Sequence, residues 1–529
     1  MACGSGKAIG GGAVSGAQRR QAGEGRSSRR GEERRAVDKK LTAHVMLNLS
    51  SLAWKKLLFG SAQLFAINST GTLSDINNTN NTITSITTTG GSIINNNTAV
   101  MSWLNIAPDS HFSIANIPFG IISTPSDATP RPAVAIGDYA LDLKAFAAGG
   151  GFDASADIKK SAAAVFSSPT LNAFAAQGRA FHRAVRAHLQ AVLSADTEHP
   201  QLLRDNESLR KAALVPRSEV QNHLPMAVGD YTDFYAGKNH AYNVGVLFRG
   251  PDNALQPNYL HLPVAYHGRA SSVVVSGTPL RRPWGQILKD PKAEPKVPAL
   301  ATAQKLDLEL EMGMFICREN QLGSPVPVDE ADDYIFGYVL MNDWSARDLQ
   351  AWEYVPLGPF TAKNLGTSIS AWVVLADALA DAKGAGIPND TPLLPYLQEK
   401  KKDNVLQIDL EVDLITANGN KTTISKTNSK NLLWSWPQMI AHHSISGCNL
   451  RPGDLFGSGT ISGTEPNTQG SILEQTQGGK AAMQLTGGEE RKFLQDGDSL
   501  VIRGWAGKEG ALVGFGEVSG KILPAHPLF

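Results

Sequence analysis

The sequence predicts a mainly β protein with some α-helix. The chain beyond residue 218 is dense in Gly, Pro and short β-branched runs such as residues 272–277, a composition typical of β-rich domains. Residues 112–145 alternate short apolar runs with turn residues, which predicts strands. Residues 167–195 carry a helix-start signal and an apolar stripe, which predicts helix. The sequence has no internal repeat of solenoid or propeller period, so a repeat architecture is not indicated.

The first hundred residues differ in composition from the rest. Residues 1–40 are mostly Gly, Ala, Ser and Arg, and residues 68–98 form an Asn/Thr/Ser/Ile/Gly tract. Neither segment can bury enough apolar surface to offset the entropy of ordering, so we expect residues 1–100 to be a disordered extension. The more apolar segment between them is interrupted by Lys55 and Lys56, which leaves too short a run for a transmembrane helix.

Three interpretations of this extension remain open. Its Arg- and Ser-rich composition is similar to that of a mitochondrial transit peptide, although Glu32 and Glu33 are unusual in one. A secretory signal would need an apolar segment directly after the basic start, and none follows. The third interpretation, which we favour, is an unstructured extension, for example from an over-long gene model of a protein that begins at Met101.

Charge is distributed unevenly along the chain. The 529 residues carry 49 basic and 49 acidic side chains. Residues 1–40 hold ten basic against four acidic, so the other 489 residues hold 39 against 45. This mildly acidic body lacks the basic footprint of a nucleic-acid-binding surface. The three cysteines, Cys3, Cys317 and Cys448, match neither a disulfide framework nor a zinc site, which indicates a reducing compartment.

The first globular region begins near Met101 and has clear local signals. Strands are predicted at residues 133–136 and 140–143, with a turn at Gly137-Asp138 between them. Ser168-Pro169 forms a helix-start signal. The residues after it that form one apolar stripe are Leu171, Phe174, Phe181, Val185, Leu189 and Val192.

The most informative segment is residues 306–314, in which apolar and acidic residues alternate through Met312. This is the period of a strand, so Glu309 and Glu311 project from one face. Two Glu side chains on one face repel each other unless a cation or solvent lies between them. Taken alone, the pattern is typical of a half-exposed strand with a solvated acidic face.

Two further segments, residues 229–235 and 341–348, place more carboxylates in aromatic-rich, loop-like settings. Four carboxylates without Cys or His at metal spacing would form a hard oxygen site, suited to calcium or magnesium rather than zinc or copper. The sequence contains no Gly-x-Ser-x-Gly, no His-Glu-x-x-His and no phosphate loop. Covalent serine hydrolysis, zinc hydrolysis and nucleotide chemistry therefore lack their usual motifs.

Six segments closely resemble fumarylacetoacetases, of the fumarylacetoacetate hydrolase family. They are GDYTDFY at 229–235, YHGRASS at 266–272, LELEM at 308–312, MNDWSARD at 341–348, WEYVPLGPF at 352–360 and LFGSGTISG at 455–463. The resemblance extends in order from about residue 101 to residue 529. It implies a hydrolase of carbon–carbon bonds in ketonic substances, which cleaves 4-fumarylacetoacetate into fumarate and acetoacetate in the last step of tyrosine and phenylalanine breakdown.

The resemblance also implies an architecture, an assembly and a location. Family members are cytosolic homodimers, so we expect a cytoplasmic homodimer without nucleic-acid or membrane partners; a mitochondrial location is the alternative if residues 1–100 act as a transit peptide. A small N-terminal SH3-like β-barrel domain with helices is expected at residues 101–217. A larger β-rich catalytic domain, a mixed β-sandwich roll, is expected at residues 218–529.

The resemblance implies two metal sites. The positions that match the calcium ligands of the family are Asp233, Glu309, Glu311 and Asp343. The positions that match its magnesium site are Asp343, Lys363 and Thr367. Because an ammonium group is not an obvious metal ligand, we expect Lys363 to contribute its backbone carbonyl there.

The resemblance further implies the catalytic groups. His240 matches the general base, and an imidazole can take a proton from water near neutral pH. Glu474 would orient that ring and stabilise its imidazolium form. The residues that match the donors to the oxyanion are Arg347, Gln350 and Lys363.

A last set of positions matches the residues that bind substrate in the family: Tyr235, Arg249, Gln350, Tyr354, Thr460 and Tyr266. Alternatives are open for several of them. Tyr235 and Tyr354 could be core aromatics with a satisfied hydroxyl, and Arg249 could form a surface ion pair. For Tyr266, a structural and a binding role are equally expected.

Two rival functions also remain. The first is another reaction on the same fold, since relatives hydrolyse, decarboxylate or isomerise other β-keto acids, and a fold does not fix its chemistry. The second is a catalytically inactive, calcium-stabilised binding protein. The presence of His240 and Glu474 disfavours the second rival, and the complete substrate-binding set disfavours the first.

Overall fold

The computed structural model describes Ala66–Ile67, Leu73–Ser74 and residues 101–528. The predicted disorder of residues 1–100 therefore falls almost wholly outside the described residues. Within that segment two short strands, β1 (Ala66–Ile67) and β2 (Leu73–Ser74), pair in antiparallel fashion. Among the described helices, none is both long and apolar enough to cross a membrane.

From residue 101 onwards the described chain is mainly β with some helix, as the sequence predicts. The elements before residue 230 are β3 (Phe119–Thr124), β4 (Asp127–Ile136), β5 (Tyr139–Asp142), α1 (Leu143–Ala148), α2 (Ala156–Val165), α3 (Asn172–Ala175), α4 (Arg179–Leu193), α5 (Glu207–Ala213), β6 (Leu214–Pro216) and β7 (Gln221–His223).

The remaining elements build the region that holds the predicted site. Its helices are α6 (Lys238–Arg249), α7 (Arg347–Glu353), α8 (Trp436–Ser444) and α9 (Ile472–Gln475). Its strands are β8 (Tyr231–Phe234), β9 (Ala265–His267), β10 (Val273–Val275), β11 (Leu280–Arg281), β12 (Trp284–Leu288), β13 (Pro298–Thr302), β14 (Leu306–Asp307), β15 (Leu310–Ile316), β16 (Ile335–Asp343), β17 (Ser345–Ala346), β18 (Thr367–Ile369), β19 (Trp372–Leu375), β20 (Lys383–Gly384), β21 (Val405–Leu406), β22 (Asp409–Ile415), β23 (Lys421–Asn428), β24 (Leu455–Gly457), β25 (Met483–Gln484), β26 (Glu490–Arg491), β27 (Ser499–Ala506) and β28 (Val513–Leu523).

One large sheet runs through most of the described chain. Its main path is β6-β5-β4-β3-β19-β16-β15-β24-β8-β9, with β7, β10 and β18 paired at its sides. Strands from before and after residue 218 meet where β3 pairs with β19, with Gly120 opposite Trp372. A Cβ at Gly120 would lie 2.6 Å from the Trp372 ring, so a larger residue would force these two strands apart.

A second sheet, in the order β11-β28-β27-β22-β23, covers part of the first, because β28 contacts both β16 and β19. Every residue of β15 and β16 is buried. Strands buried in this way carry almost only apolar side chains, which makes their few carboxylates conspicuous. Glu311 in β15 and Asp343 at the end of β16 are both fully buried.

The predicted short strands are confirmed, and the predicted turn between them is present. Residues 133–136 lie in β4 and residues 140–142 lie in β5, whereas Leu143, predicted to end the second strand, begins α1. Gly137 between them has φ +53°, which glycine adopts without steric cost. The run at 272–277 contains β10, which covers Val273–Val275.

Two predictions of continuous elements were wrong. The predicted helical stretch is divided into α3 and α4, because Gly178 has φ +80°, outside the helical region. The predicted strand at 306–314 is divided into β14, which pairs with β17, and β15, which pairs with β16. Glu309 lies in the break between them. Both errors have the same cause, since side-chain periodicity does not report a local change of backbone direction.

Candidate active site

Four buried carboxylates form an acidic cluster: Asp233, Glu309, Glu311 and Asp343. One oxygen from each lies within 4.8 Å of the others. The large sheet brings them together because β24 lies between β15 and β8, with Gly457 beside Asp233. A Cβ at Gly457 would lie 2.7 Å from Asp233 Oδ1 and 3.1 Å from Glu311 Oε2. The missing side chain of Gly457 therefore allows these carboxylates to approach each other.

The negative charge of the acidic cluster is not fully compensated. Burial raises the pKa of Asp233 and Glu311 well above the ordinary carboxyl values, and the neighbouring carboxylates raise both further. Glu311 Oε2 accepts a hydrogen bond from the Gly459 backbone N–H at 3.0 Å. By contrast, Asp233 Oδ1 and Glu311 Oε1 are buried and have no hydrogen-bond partner among residues 101–528. Calcium and magnesium prefer oxygen ligands such as carboxylates. Because these two oxygens have no other partner there, the residues fit a hard divalent cation.

Lys363 neutralises part of the cluster with its side chain. Its ammonium group forms ion pairs with Glu309 and, at 2.6 Å, with Asp343 Oδ2. The expected metal contact of Lys363 was through its backbone carbonyl, and that contact stays a prediction. Thr367 faces Asp343 across β18 and β16 and donates to its Oδ1 at 2.7 Å. Tyr266 donates to Asp343 Oδ2 at 2.9 Å.

Arg347, the first residue of α7, connects the cluster to its surroundings. Its Nη1 donates to Glu309 Oε1 at 2.8 Å and to Gln350 Oε1 at 3.1 Å. Its Nε donates to Asp307 Oδ2 at 2.8 Å. Its Nη2 is buried and has no partner within the described part of the chain. A buried guanidinium whose Nη2 donates to no acceptor is equipped to donate to one that enters the site.

His240 and Glu474 form a second polar centre, the His240–Glu474 pair. His240 Nδ1 lies 2.6 Å from Glu474 Oε2, and its Nε2 lies 3.9 Å from Glu309 Oε1. An ionised carboxylate only accepts hydrogen bonds, so Nδ1 carries the proton and the lone pair of neutral His240 lies on Nε2. The ring is thereby held in the tautomer that can accept a proton on the side of the acidic cluster.

Glu474 is kept ionised by its own contacts. Burial alone would raise the pKa of Glu474, but His240 and the hydrogen bonds from His240, Asn243 and Ser471 outweigh it and hold the pKa below its ordinary value. Asn243 donates to Oε1 at 2.8 Å. Ser462 and Ser471 donate to Oε2 at 2.9 and 2.7 Å. Both oxygens of Glu474 are therefore satisfied without any added group.

A cavity of about 460 Å³ joins the two polar centres. All six residues predicted to bind substrate line it: Tyr235, Arg249, Tyr266, Gln350, Tyr354 and Thr460. His240, Arg347 and Lys363 line it too, together with three carboxylates of the acidic cluster. Asp343 and Glu474 lie behind this lining and contact Lys363 and His240, which form part of it. Thr367 lies behind it as well and contacts Asp343.

The alternatives for three of these side chains can now be compared with their surroundings. Arg249 donates from Nε and Nη2 to the backbone carbonyls of Asn253 and Ala254, at 3.0 and 2.6 Å, rather than to an acidic side chain. Tyr354 is 40% exposed at the cavity mouth and is not a core aromatic. The Tyr235 ring lies perpendicular to that of His240 at 5.5 Å, and burial raises the pKa of its hydroxyl.

Sequence reasoning missed several polar residues that support the site: Asp307, Asn243, Ser462 and Ser471. Two sequence signals were available. Asn243 is three residues beyond His240, which places both on one face of a helix. Ser471 and Glu474 have the spacing of a helix-capping pair, and Ser471 is the N-cap of α9.

Two family models and several named relatives match this chain. The family model "Fumarylacetoacetase N-terminal" matches residues 115–225, and "Fumarylacetoacetate (FAA) hydrolase C-terminal" matches residues 231–522. A fumarylacetoacetase from Aspergillus fumigatus is 62% identical over 429 residues, which is 81% of this chain and 99% of the relative. The human fumarylacetoacetase is 47% identical over 429 residues, 80% of this chain and 99% of the relative. A solved fumarylacetoacetate hydrolase from Exiguobacterium antarcticum aligns with a TM-score of 0.44 at 16% identity, over 78% of this chain and 100% of its own.

Proposed function

The chain belongs to the fumarylacetoacetate hydrolase family, and we propose that it hydrolyses the carbon–carbon bond of 4-fumarylacetoacetate to give fumarate and acetoacetate. Its relatives named fumarylacetoacetase match it over almost their whole length. The observation that carries the proposal is that the His240–Glu474 pair, Arg347 and the acidic cluster all meet at one cavity. Resemblance to the family places this reaction at the end of tyrosine and phenylalanine breakdown.

The acidic cluster would hold a calcium ion, with Asp233, Glu309, Glu311 and Asp343 as ligands. We assign the cation to this set because two of its oxygens are buried and have no partner from residue 101 to residue 528. A magnesium site at Asp343, Lys363 and Thr367 is a further part of the proposal. A bound cation would supply Lewis-acid polarisation of the two ketone oxygens of the substrate. Lys363 would add a fixed positive charge beside the same oxygens.

His240 would act as the general base. It takes a proton from water at Nε2, and Glu474 stabilises the imidazolium that results. The water oxygen then bonds to the carbonyl carbon of the fumaroyl side, and the carbon–carbon bond breaks with its electron pair leaving on the acetoacetate carbon. That carbon regains a proton from His240. One water is consumed, and no oxidant or reductant is required.

Arg347 would stabilise the oxyanion that forms when water adds to the carbonyl. Its unpartnered Nη2 offers a preorganised N–H donor, with Gln350 and Lys363 beside it. The substrate carboxylates would bind Tyr235, Arg249, Tyr354 and Thr460, which line the same cavity. The hydroxyl of Tyr266 already donates to Asp343, so Tyr266 would contribute to binding by forming part of the cavity wall.

The proposal is tested by adding the purified protein to 4-fumarylacetoacetate and following the loss of ultraviolet absorbance. Fumarate and acetoacetate are then quantified, with and without a chelator and with calcium restored. Appearance of both products in equal amounts supports the proposal. Turnover of other β-keto acids but not of fumarylacetoacetate would instead establish the rival reaction on the same fold. Stoichiometric calcium binding without turnover of any of these compounds would indicate an inactive binding protein.

The proposal extends to assembly, domains and location on the basis of family resemblance. We propose a cytoplasmic homodimer with an SH3-like barrel at residues 101–217 and the catalytic domain at residues 218–529. Analytical ultracentrifugation measures the oligomeric state directly. Mass spectrometry of the native N-terminus decides between the three interpretations of residues 1–100, and fractionation of cells decides the location.

A further inference from the structure

Asp307 is a completely buried carboxylate beside the cavity that belongs to neither polar centre. It lies in the short strand β14 and is absent from the cavity lining. A buried carboxylate is costly unless several hydrogen bonds compensate for its lost hydration, so its partners indicate what it does.

Four donors satisfy the two oxygens of Asp307. Oδ2 accepts from Arg347 Nε at 2.8 Å and from the Leu473 backbone N–H at 3.1 Å. Oδ1 accepts from the backbone N–H groups of Ile472 and Leu308 at 2.8 and 2.9 Å. The carboxylate thus connects the first residue of α7 to the first two residues of α9.

Both partners of Asp307 carry catalytic groups in the proposed function. Arg347 uses Nε and Nη1 for Asp307 and Glu309, which leaves Nη2 as its unpartnered donor. Glu474 directly follows Ile472 and Leu473 in α9 and contacts His240. Fixing these two backbone N–H groups therefore fixes the start of the segment that orients the general base.

We propose that Asp307 is a positioning residue that holds the Arg347 guanidinium and the Glu474 segment in register with each other. Asp307 touches neither the cavity nor the reacting atoms. It acts through Arg347 on the oxyanion and through Glu474 on the orientation of His240. This inference rests on the proposed function for the roles of those three residues.

The charge and shape of the side chain are both needed for this role. A carboxylate presents acceptors to both partners at once, whereas an amide presents one acceptor and one donor. Asp307→Asn therefore keeps nearly the same volume, but its amide N–H group would face the N–H donor of Arg347 or those of the α9 backbone. An error of about 1 Å in the position of a catalytic group can lower a rate by about 100-fold.

Asp142 offers a matched control elsewhere in the chain. It is also a buried aspartate, and its Oδ2 accepts from Arg131 Nε at 2.5 Å. Its Oδ1 accepts from the Ala145 backbone N–H at 3.0 Å, in the first turn of α1. Asp142 does not line the described cavity. Asp142→Asn therefore removes the same kinds of bond without touching the site.

The experiment compares kcat and KM of the folded Asp307→Asn and Asp142→Asn proteins on 4-fumarylacetoacetate. We expect Asp307→Asn to lower kcat by about 100-fold with KM changed by less than about 3-fold, because positioning affects the transition state. Asp142→Asn is expected to keep kcat per folded molecule within about 2-fold of wild type. If Asp307→Asn does not fold, Asp307→Ser, which also fails to bridge both partners, replaces it.

A double-mutant cycle with Arg347→Ala tests whether Asp307 acts through its partners. In the Arg347→Ala protein the bond between Asp307 and Arg347 is already absent, so adding Asp307→Asn is expected to lower kcat by less than 100-fold. Equal losses in both backgrounds, or a kcat of Asp307→Asn within about 3-fold of wild type, would overturn the proposal.

A crystal structure of Asp307→Asn separates this inference from the proposed function. If wild type does not hydrolyse fumarylacetoacetate, the proposed function fails but the positioning claim is still decided by geometry. A displacement of the Arg347 guanidinium or of Glu474 by about 1 Å supports the claim. Both groups in their wild-type positions would contradict it.

Discussion

Both oxygens of Glu474 in the His240–Glu474 pair have hydrogen-bond donors from the chain itself, whereas two buried oxygens of the acidic cluster have none in the part of the chain that the structure describes. The two centres share one cavity and are connected by the 3.9 Å contact between His240 Nε2 and Glu309 Oε1. Burial favours a higher carboxyl pKa in both centres. The outcomes are opposite, because the pKa of Glu474 is held below its ordinary value while that of Glu311 rises well above it.

The difference shows two ways in which a buried carboxylate can be used. Glu474 is kept charged and oriented by His240, Asn243, Ser462 and Ser471, so this centre is complete when the chain folds. The acidic cluster places like charges together and compensates only part of them with Lys363 and Arg347. A cation is the remaining means of stabilising the charged form.

The largest effect is expected from removing the base. His240→Ala should lower kcat by about 1,000-fold or more, since general-base catalysis contributes up to about 10,000-fold. Because the pair is complete in itself, the acidic cluster should keep its cation. Elemental analysis and turnover are measured on the same preparation. Normal turnover would remove His240 from the mechanism, and loss of the metal would show that the two centres are not independent.

Removing cluster ligands should have the next largest effect. Asp233→Ala and Glu309→Ala are expected to lose bound calcium and to reduce kcat by about 100-fold, because the polarising cation is lost. Calcium content is measured by elemental analysis after dialysis.

Asp498→Asn is the control for these variants. Asp498 is buried, accepts a hydrogen bond from Arg491 Nε at 2.9 Å and does not line the cavity. It should destabilise the protein without changing its calcium content. Full calcium occupancy in Asp233→Ala and Glu309→Ala would exclude them as ligands.

Glu311→Gln should change the free energy of unfolding in opposite directions in the metal-free and the calcium-bound protein. In the metal-free protein the raised pKa of Glu311 means that its charged form destabilises the fold, so the neutral amide should stabilise it by about 1 kcal/mol or more. The gain should be absent near pH 4 and grow as pH rises above the ordinary value of 4.5. With calcium present, the same change should destabilise.

Glu474→Gln should show the opposite pH dependence. The folded pKa of Glu474 is depressed, so its contribution to stability is present above pH 4.5 and is lost as pH falls through the folded value. Urea unfolding between pH 3 and pH 7 measures both variants. Parallel pH dependences for Glu311→Gln and Glu474→Gln would contradict the contrast between the two centres.

The smallest effect is expected at the edge of the pair. Asn243→Ala removes one of the donors to Glu474 and should lower kcat by about 10-fold, since Ser462, Ser471 and His240 still hold the carboxylate. Asn239→Ala is its matched control, because Asn239 lies on the same helix but donates to the Ser462 backbone. Steady-state kinetics on both variants decide the point. Equal losses would show that Asn243 acts through the helix and not through Glu474.

Much of the acidic cluster could be predicted from sequence, but not its geometry. The alternation around Glu309 and Glu311 placed both on one side of a strand, and both do belong to the acidic cluster. Asp233 and Asp343 are far away in sequence; their segments offered several carboxylates, and only resemblance to the family selected these two. Their approach depends on the order β16-β15-β24-β8 and on the small size of Gly457, which no local pattern reports.

Backbone breaks and indirect roles were the parts that sequence could not supply. Gly178 interrupts an apolar stripe whose spacing continues on both sides, because glycine reaches positive φ without changing the pattern of its neighbours. Asp307 continues the alternation of Glu309 and Glu311, yet its carboxylate bonds to Arg347 and to α9. Periodicity reports which face a side chain occupies, whereas the partner depends on segments that are distant in the chain.

The most direct test of the account is a calcium titration of the metal-free protein with turnover of 4-fumarylacetoacetate measured at each step. Turnover should be absent at first, rise in proportion to occupancy and saturate as the acidic cluster fills, and His240→Ala should bind the same calcium without gaining activity. Full turnover in the metal-free protein would contradict the account.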